Sequence, residues 1–146
     1  MAAPPKPYRY FYSYQPLPNQ RSFRLLRFRN FLESHCCKLD TFDIEDCPPF
    51  SALSYTWGAP LNTPRSVEDY GPDTSKVLPI KTDAGLKSVK VLKNLYDALH
   101  QLAGSSDKPE WIWVDAICIN QEDVKERETQ VTLMGDVYSS CTEVIV

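Results

Sequence analysis

The chain reads as an α/β protein, a mainly parallel sheet flanked by helices, with an added strand or hairpin region near its N-terminus. Three observations predict this class. Strand-like apolar runs alternate with amphipathic helical stretches through the second half, the pattern of a sheet with helical crossovers. Residues 111–119 are almost continuously apolar, as in a strand buried on both faces of a parallel sheet. Finally, 146 residues with 42% hydrophobic and 24% charged side chains suit a single domain with its own core.

The elements follow in order. Residues 1–20 form a Pro/Tyr-rich arm, and four prolines up to Pro16 forbid a helix there. The arm is expected to be extended and to pack its tyrosines on the body, residues 21–146. Phe23 to Arg29 has strand composition with imperfect alternation. Leu39 to Pro49 reads as an acidic loop. Phe50 to Trp57 reads as a strand with Leu53, Tyr55 and Trp57 on one face, ended by Gly58 and Pro60. Residues 59–76 look like a surface insertion. Val77 to Ile80 and Ser88 to Leu92 pair as a hairpin around Thr82 to Gly85, with Gly85 left-handed. Leu92, Leu95, Leu99 and Leu102 mark a helix that ends at Gly104. A second helix runs from about Asp123 to Ser139 with Val124, Val131, Met134 and Tyr138 as its apolar stripe. At 100° per residue Arg127 falls inside that stripe and Glu126 points away from it. Glu143 to Val146 begins another strand. An apolar strand at the terminus leads to the expectation that the sequence is a portion of a longer protein.

Charge and composition exclude some functions. A net charge of −3 carries no electrostatic footprint for nucleic acid. No apolar run approaches the roughly 18 residues of a membrane span. Five cysteines, an odd number without a Cys-x-x-Cys pair, point to a reducing, cytoplasmic setting. Phosphate-binding glycine loops and zinc signatures are absent, and no metal is expected. Of the two histidines, His100 reads as a helix surface residue, and neither lies in a nucleophile turn. Cys118 reads as packing.

The informative polar residues stand at strand ends, where open parallel sheets bind ligands. Ser54, Tyr55, Trp57 and Gly58 end one strand, and Trp57 is either core or a stacking surface for a planar ligand. Asp115 interrupts the other. A carboxylate inside an apolar strand must be paired or hydrogen-bonded, so Asp115 either pairs with Arg127 or stands poised in a cleft. Asn120 and Gln121 cap the second helix or meet a ligand's polar edge. Glu126 reads either as solvated charge or as a second catalytic carboxylate.

Four blocks together resemble the fungal heterokaryon incompatibility (HET) domain. They are Ala52-Leu-Ser-Tyr-Thr-Trp-Gly58, Asn94-Leu-Tyr-Asp-Ala-Leu99, Trp111-Ile-Trp-Val-Asp-Ala-Ile-Cys-Ile-Asn-Gln121, and Glu126-Arg-x-x-Gln-Val131 with Met134 and Tyr138. Tyr14-x-Pro-Leu17 and Phe23-Arg-Leu-Leu26 resemble the family's lead-in. The resemblance implies a cell-death and allorecognition module of filamentous fungi, acting through self-association or protein partners, and remotely similar to TIR domains, so that the sheet is expected to be TIR-like, of the flavodoxin-like kind. Some TIR domains hydrolyse NAD and others only assemble. An enzyme of that kind would take NAD as substrate, with Trp57 stacking, Asp115 or Glu126 as carboxylate, and Asn120 or Gln121 on ribose or amide. The glutamate of NAD-hydrolysing TIR domains lies beyond the third strand, so the resemblance also implies a third reading, a truncated inactive regulator.

Overall fold

A computed structural model describes residues 11–29, 36–54 and 75–145. The described strands are β1 (Ser22–Arg29), β2 (Cys36–Asp43), β3 (Ser51–Leu53), β4 (Ser75–Thr82), β5 (Gly85–Leu92), β6 (Ile112–Trp113) and β7 (Glu143–Ile145). The helices are α1 (Lys93–Ala103), α2 (Asp115–Cys118) and α3 (Val124–Ser140). All seven strands join one sheet in the order β5-β4-β2-β1-β6-β3-β7.

The sheet is mixed. Its parallel end is β6-β3-β7, with Ser51 opposite both Ile112 and Glu143. The other end is built from antiparallel pairs, β1 with β2 and β4 with β5, joined by a parallel contact of Cys37 with Ile80. β1 turns from one half to the other by pairing antiparallel to β6 at Leu26 and Ile112. The expected N-terminal hairpin region therefore occupies the middle of the sheet instead of an appendage. Residues 39–43, expected in a loop, belong to β2. Their alternation is blurred because Leu39 is buried while Asp40, Phe42 and Asp43 lie at half-buried positions.

Local chemistry explains the clearest elements. β4 and β5 are paired from Ser75↔Leu92 to Thr82↔Gly85, and Gly85 has φ 103°. That is the left-handed conformation a glycine adopts at little steric cost. The Thr82 hydroxyl closes the turn by donating to the Gly85 carbonyl at 2.7 Å. In α1 the leucine spacing buries Leu95 and Leu99 against the sheet, with Ala103 in line. Gly104 caps the helix in a right-handed conformation, φ −85°, so any small residue's backbone would serve there.

The described part of the arm is extended. Tyr12 donates its backbone N–H to Ser88 on β5 at 2.9 Å, and the Tyr12 and Tyr14 rings meet edge to face. The arm thus crosses from the β5 edge to the centre of the sheet, where Tyr14 donates its hydroxyl to the Ile117 carbonyl at 2.6 Å. One continuous core contains Phe23, Leu25, Leu26, Ile80, Leu95, Leu99, Ile112, Trp113, Ile117 and Leu133.

Candidate functional site

β6 and β3 lie side by side and parallel, with Ala52 opposite Trp113. Counting two residues on from that pair brings Ser54 and Asp115 to the same carboxyl edge. Ser54 is half-buried and donates its backbone N–H to the Ile145 carbonyl at 2.8 Å. Together with Leu53 and Ile145 it lines a groove of about 430 Å³ closed on the other side by Ala98, Gln101 and Leu102 of α1. Tyr55, Trp57 and Gly58, the other expected ligand contacts of that strand end, lie outside the described residues.

Asp115 does not sit within a strand. β6 stops at Trp113, Val114 stays extended, and Asp115 opens the short helix α2. The backbone N–H groups of Ile117 and Cys118 both turn back to the Val114 carbonyl, so the apolar run folds on itself after three residues. Asp115 is consequently half-buried at a helix start. Gln121 spans this turn, its side-chain amide donating to the Asp115 carbonyl at 2.8 Å and to Ile119 at 3.3 Å. Asn120 closes the next turn by accepting from the Glu122 N–H. Neither caps α3. That role belongs to Asp123, whose carboxylate accepts from the Glu126 N–H at 3.1 Å.

The dominant polar feature was not legible in the sequence. Arg24 of β1 is 2% exposed and grips Glu126 of α3, 8% exposed, through both carboxylate oxygens, at 2.7 and 3.0 Å. The same guanidinium donates to the carbonyls of Cys118 at 3.0 Å and Gln15 at 2.8 Å. Tyr14 covers its face, with the ring centroid 4.8 Å from the guanidinium carbon. Glu126 also accepts the Asn120 N–H at 2.6 Å. Four chain segments thus converge on one charge pair: the arm, β1, the α2 turn and α3. Such bidentate geometry is the strong form of the arginine–carboxylate contact. One turn further along α3, Gln130 is 1% exposed and donates to the Ser22 carbonyl at 2.8 Å.

This arrangement overturns the expected phase of α3. Its inward residues are Glu126, Gln130, Leu133 and Val137. Val124 and Val131 face out, 57% and 62% exposed, whereas of the other two expected stripe residues Met134 is half-buried against the core and Tyr138, 38% exposed, sets its ring edge to face with Trp113. Arg127 is exposed too, and forms no ion pair with Asp115. The physical reason is that Arg24, once committed to a central strand, needs a carboxylate, and supplying one rotates the helix by about one residue from its most apolar phase. Arg24 in the midst of Phe23, Leu25 and Leu26 was the available signal, since a cation in an apolar strand must have a partner.

Cys118 is buried, and burial pushes its thiol up to about 12, which disfavours the thiolate that a nucleophile requires. Burial likewise pushes the Tyr14 hydroxyl up, consistent with its role as a donor. His100 is half-buried, with its ring 4.5 Å from that of Tyr96. Among the described residues no cluster of three or more His, Cys, Asp or Glu side chains could hold a metal ion, and no helix is long and apolar enough to cross a membrane.

Residues 50–146 match the family model described as heterokaryon incompatibility protein (HET). The chain is also similar to heterokaryon incompatibility protein 6, OR allele, of Neurospora crassa, with 36% identity over 113 residues. That alignment covers 77% of this chain and 16% of the relative, so the chain spans about a sixth of that protein's length. No solved structure matches.

Proposed function

The chain belongs to the heterokaryon incompatibility family, and on that premise we propose that it is a cytoplasmic module of fungal allorecognition and cell-death signalling that acts by protein contact, with itself or with partners. We also read its parallel end as the start of a TIR-like, flavodoxin-type sheet. The order β6-β3-β7 supports this, because it sets the first of three successive parallel strands between the second and the third.

The observation that carries the functional reading is the outer flank of α3. Two of its three valines, Val124 and Val131, are turned to solvent while Glu126 is drawn inward. A helix that exposes aliphatic side chains two turns apart offers a contact surface for protein. Glu126, meanwhile, is held by three N–H donors, two of them from the buried Arg24 guanidinium, which gives it a part in holding the fold. Static light scattering of the 146-residue chain over a wide concentration range tests the reading. A mass that rises with concentration is expected, and a monomer at every concentration would rule out self-association.

A second reading, hydrolysis of NAD, is favoured by one observation: Ser54 and Asp115 reach the same carboxyl edge of parallel strands, where Ser54 lines a groove. Nicotinamide release from NAD, compared between the chain and Asp115→Ala, decides it. Release equal in the two proteins removes Asp115 from the chemistry, and no release from either removes the activity from this chain.

A further inference from the structure

Val124, Arg127, Glu128 and Val131 together line a shallow hollow of about 490 Å³ on the outside of α3. On a helix of 100° per residue these four positions fall within about 100° of one another, so they form one patch two turns long. Neither Arg127 nor Glu128 forms an ion pair with a described residue. The patch therefore presents two aliphatic side chains and two charges of opposite sign, all unengaged within the chain's described part.

We propose that this patch is a two-fold interface with a second copy of the chain, in which the α3 helices pack antiparallel about a point between Arg127 and Glu128. The spacing makes the patch complementary to itself. An antiparallel pairing that sets Arg127 against Glu128 of the partner copy also sets Val124 against Val131 of the partner copy. Two-fold symmetry repeats both contacts, so each interface gains two aliphatic pairs and two ion pairs from one register. This is the isologous form, in which one surface serves both subunits. The same register leaves no charge facing its like. Parallel packing would set Arg127 against Arg127 and Glu128 against Glu128, which disfavours it. Gly135, where an added Cβ would meet nothing within 4 Å, lies one helical turn beyond Val131 and leaves room for the partner's backbone to approach. Two turns of helix are a small contact compared with stable interfaces, so the dimer is weak and concentration-dependent.

The inference rests on the self-association reading above, and the experiment separates the two. Sedimentation equilibrium is run on the 146-residue chain, on Val131→Asp, on Arg127→Glu, on Glu128→Arg, and on the double exchange Arg127→Glu/Glu128→Arg. Circular dichroism melts confirm that each variant folds, which is expected because all three substituted positions are exposed. Val131→Asp is expected to abolish dimerisation. Each single charge reversal creates two like-charge contacts and is expected to weaken it about tenfold. The double exchange restores the pairing with the signs inverted and is expected to return dimerisation to within about threefold of the original. A dimer that Val131→Asp leaves intact, or a double exchange no better than the singles, overturns this interface while leaving self-association standing. A wild-type chain that stays monomeric at every concentration assigns the patch to another occupant and overturns both.

Discussion

Replacing Glu126 with glutamine keeps its volume and removes its charge, which isolates what the buried pair contributes. The carboxylate accepts three N–H groups, two from Arg24 and one from the Asn120 backbone. An amide offers one acceptor oxygen and one NH2 group. Whichever way it is turned, its NH2 faces a guanidinium N–H, and in one orientation the Asn120 N–H as well. Arg24 meanwhile stays charged, 2% exposed, with only the carbonyls of Cys118 and Gln15 to compensate it. Breaking a buried pair from one side costs about 3–5 kcal/mol. Against a total stability of roughly 5–15 kcal/mol, that is a large fraction, equivalent to a fall in Tm of roughly 6–20 °C for a domain of this size. Arg24→Met is expected to be at least as damaging, because it also strips the Cys118 and Gln15 carbonyls of their donor. The double variant Arg24→Met/Glu126→Leu leaves no buried charge and is expected to recover much of the loss. Urea titrations followed by circular dichroism and tryptophan fluorescence give the three stabilities and the coupling between the sites. Single variants within about 1 kcal/mol of the original, or a double variant equal to the sum of the singles, would refute the assignment of this pair as the keystone of the fold.

Two further outcomes follow from the same structure. Asp123→Ala removes the side-chain acceptor for the Glu126 N–H and is expected to destabilise by about 1 kcal/mol, whereas Asn120→Ala should cost less, because its side chain closes only a local turn; equal effects in urea titration would contradict the capping assignment. Alkaline pH is expected to weaken the fold. The Cys118 thiol is raised from its ordinary 9.0 to about 12 by burial, so between those values the unfolded chain releases a proton that the native state retains. The stabilisation is complete below pH 9 and is lost as pH rises toward 12, at about 1.4 kcal/mol per pH unit for one thiol. Cys118→Ala should make the fall shallower in melts recorded across that range, and an unchanged slope would show that the thiol does not titrate in this way.

What could be read from the sequence depended on how local the deciding contact was. The β4–β5 hairpin was legible because Thr82 and Gly85 determine the turn within four residues. α1 was legible because its leucine stripe has no competitor. The α2 turn was not, since an apolar run from Trp111 to Ile119 looks the same to a periodicity count whether it continues as a strand or doubles back at Val114. α3 was placed correctly along the chain and wrongly in phase. Val124 and Val131 outweigh Glu126 and Gln130 on any hydrophobic scale, and Arg24 reverses the preference. The carboxyl edge of β6 was legible as a place where polar residues gather, but the sequence could not assign Asn120 and Gln121 to turn closure, because that depends on where α2 begins.

Arg24 and Glu126 are separated by 102 residues. During synthesis the arm and β1 therefore emerge long before the carboxylate that completes them. Until α3 leaves the ribosome, the centre of the nascent sheet carries an arginine with no counter-charge, and full burial of β1 is deferred. Closing this contact is a single long-range step that joins β1 to α3, which favours all-or-none folding at the expense of speed. The arm, which gives Arg24 the Gln15 carbonyl, is secured in that same step.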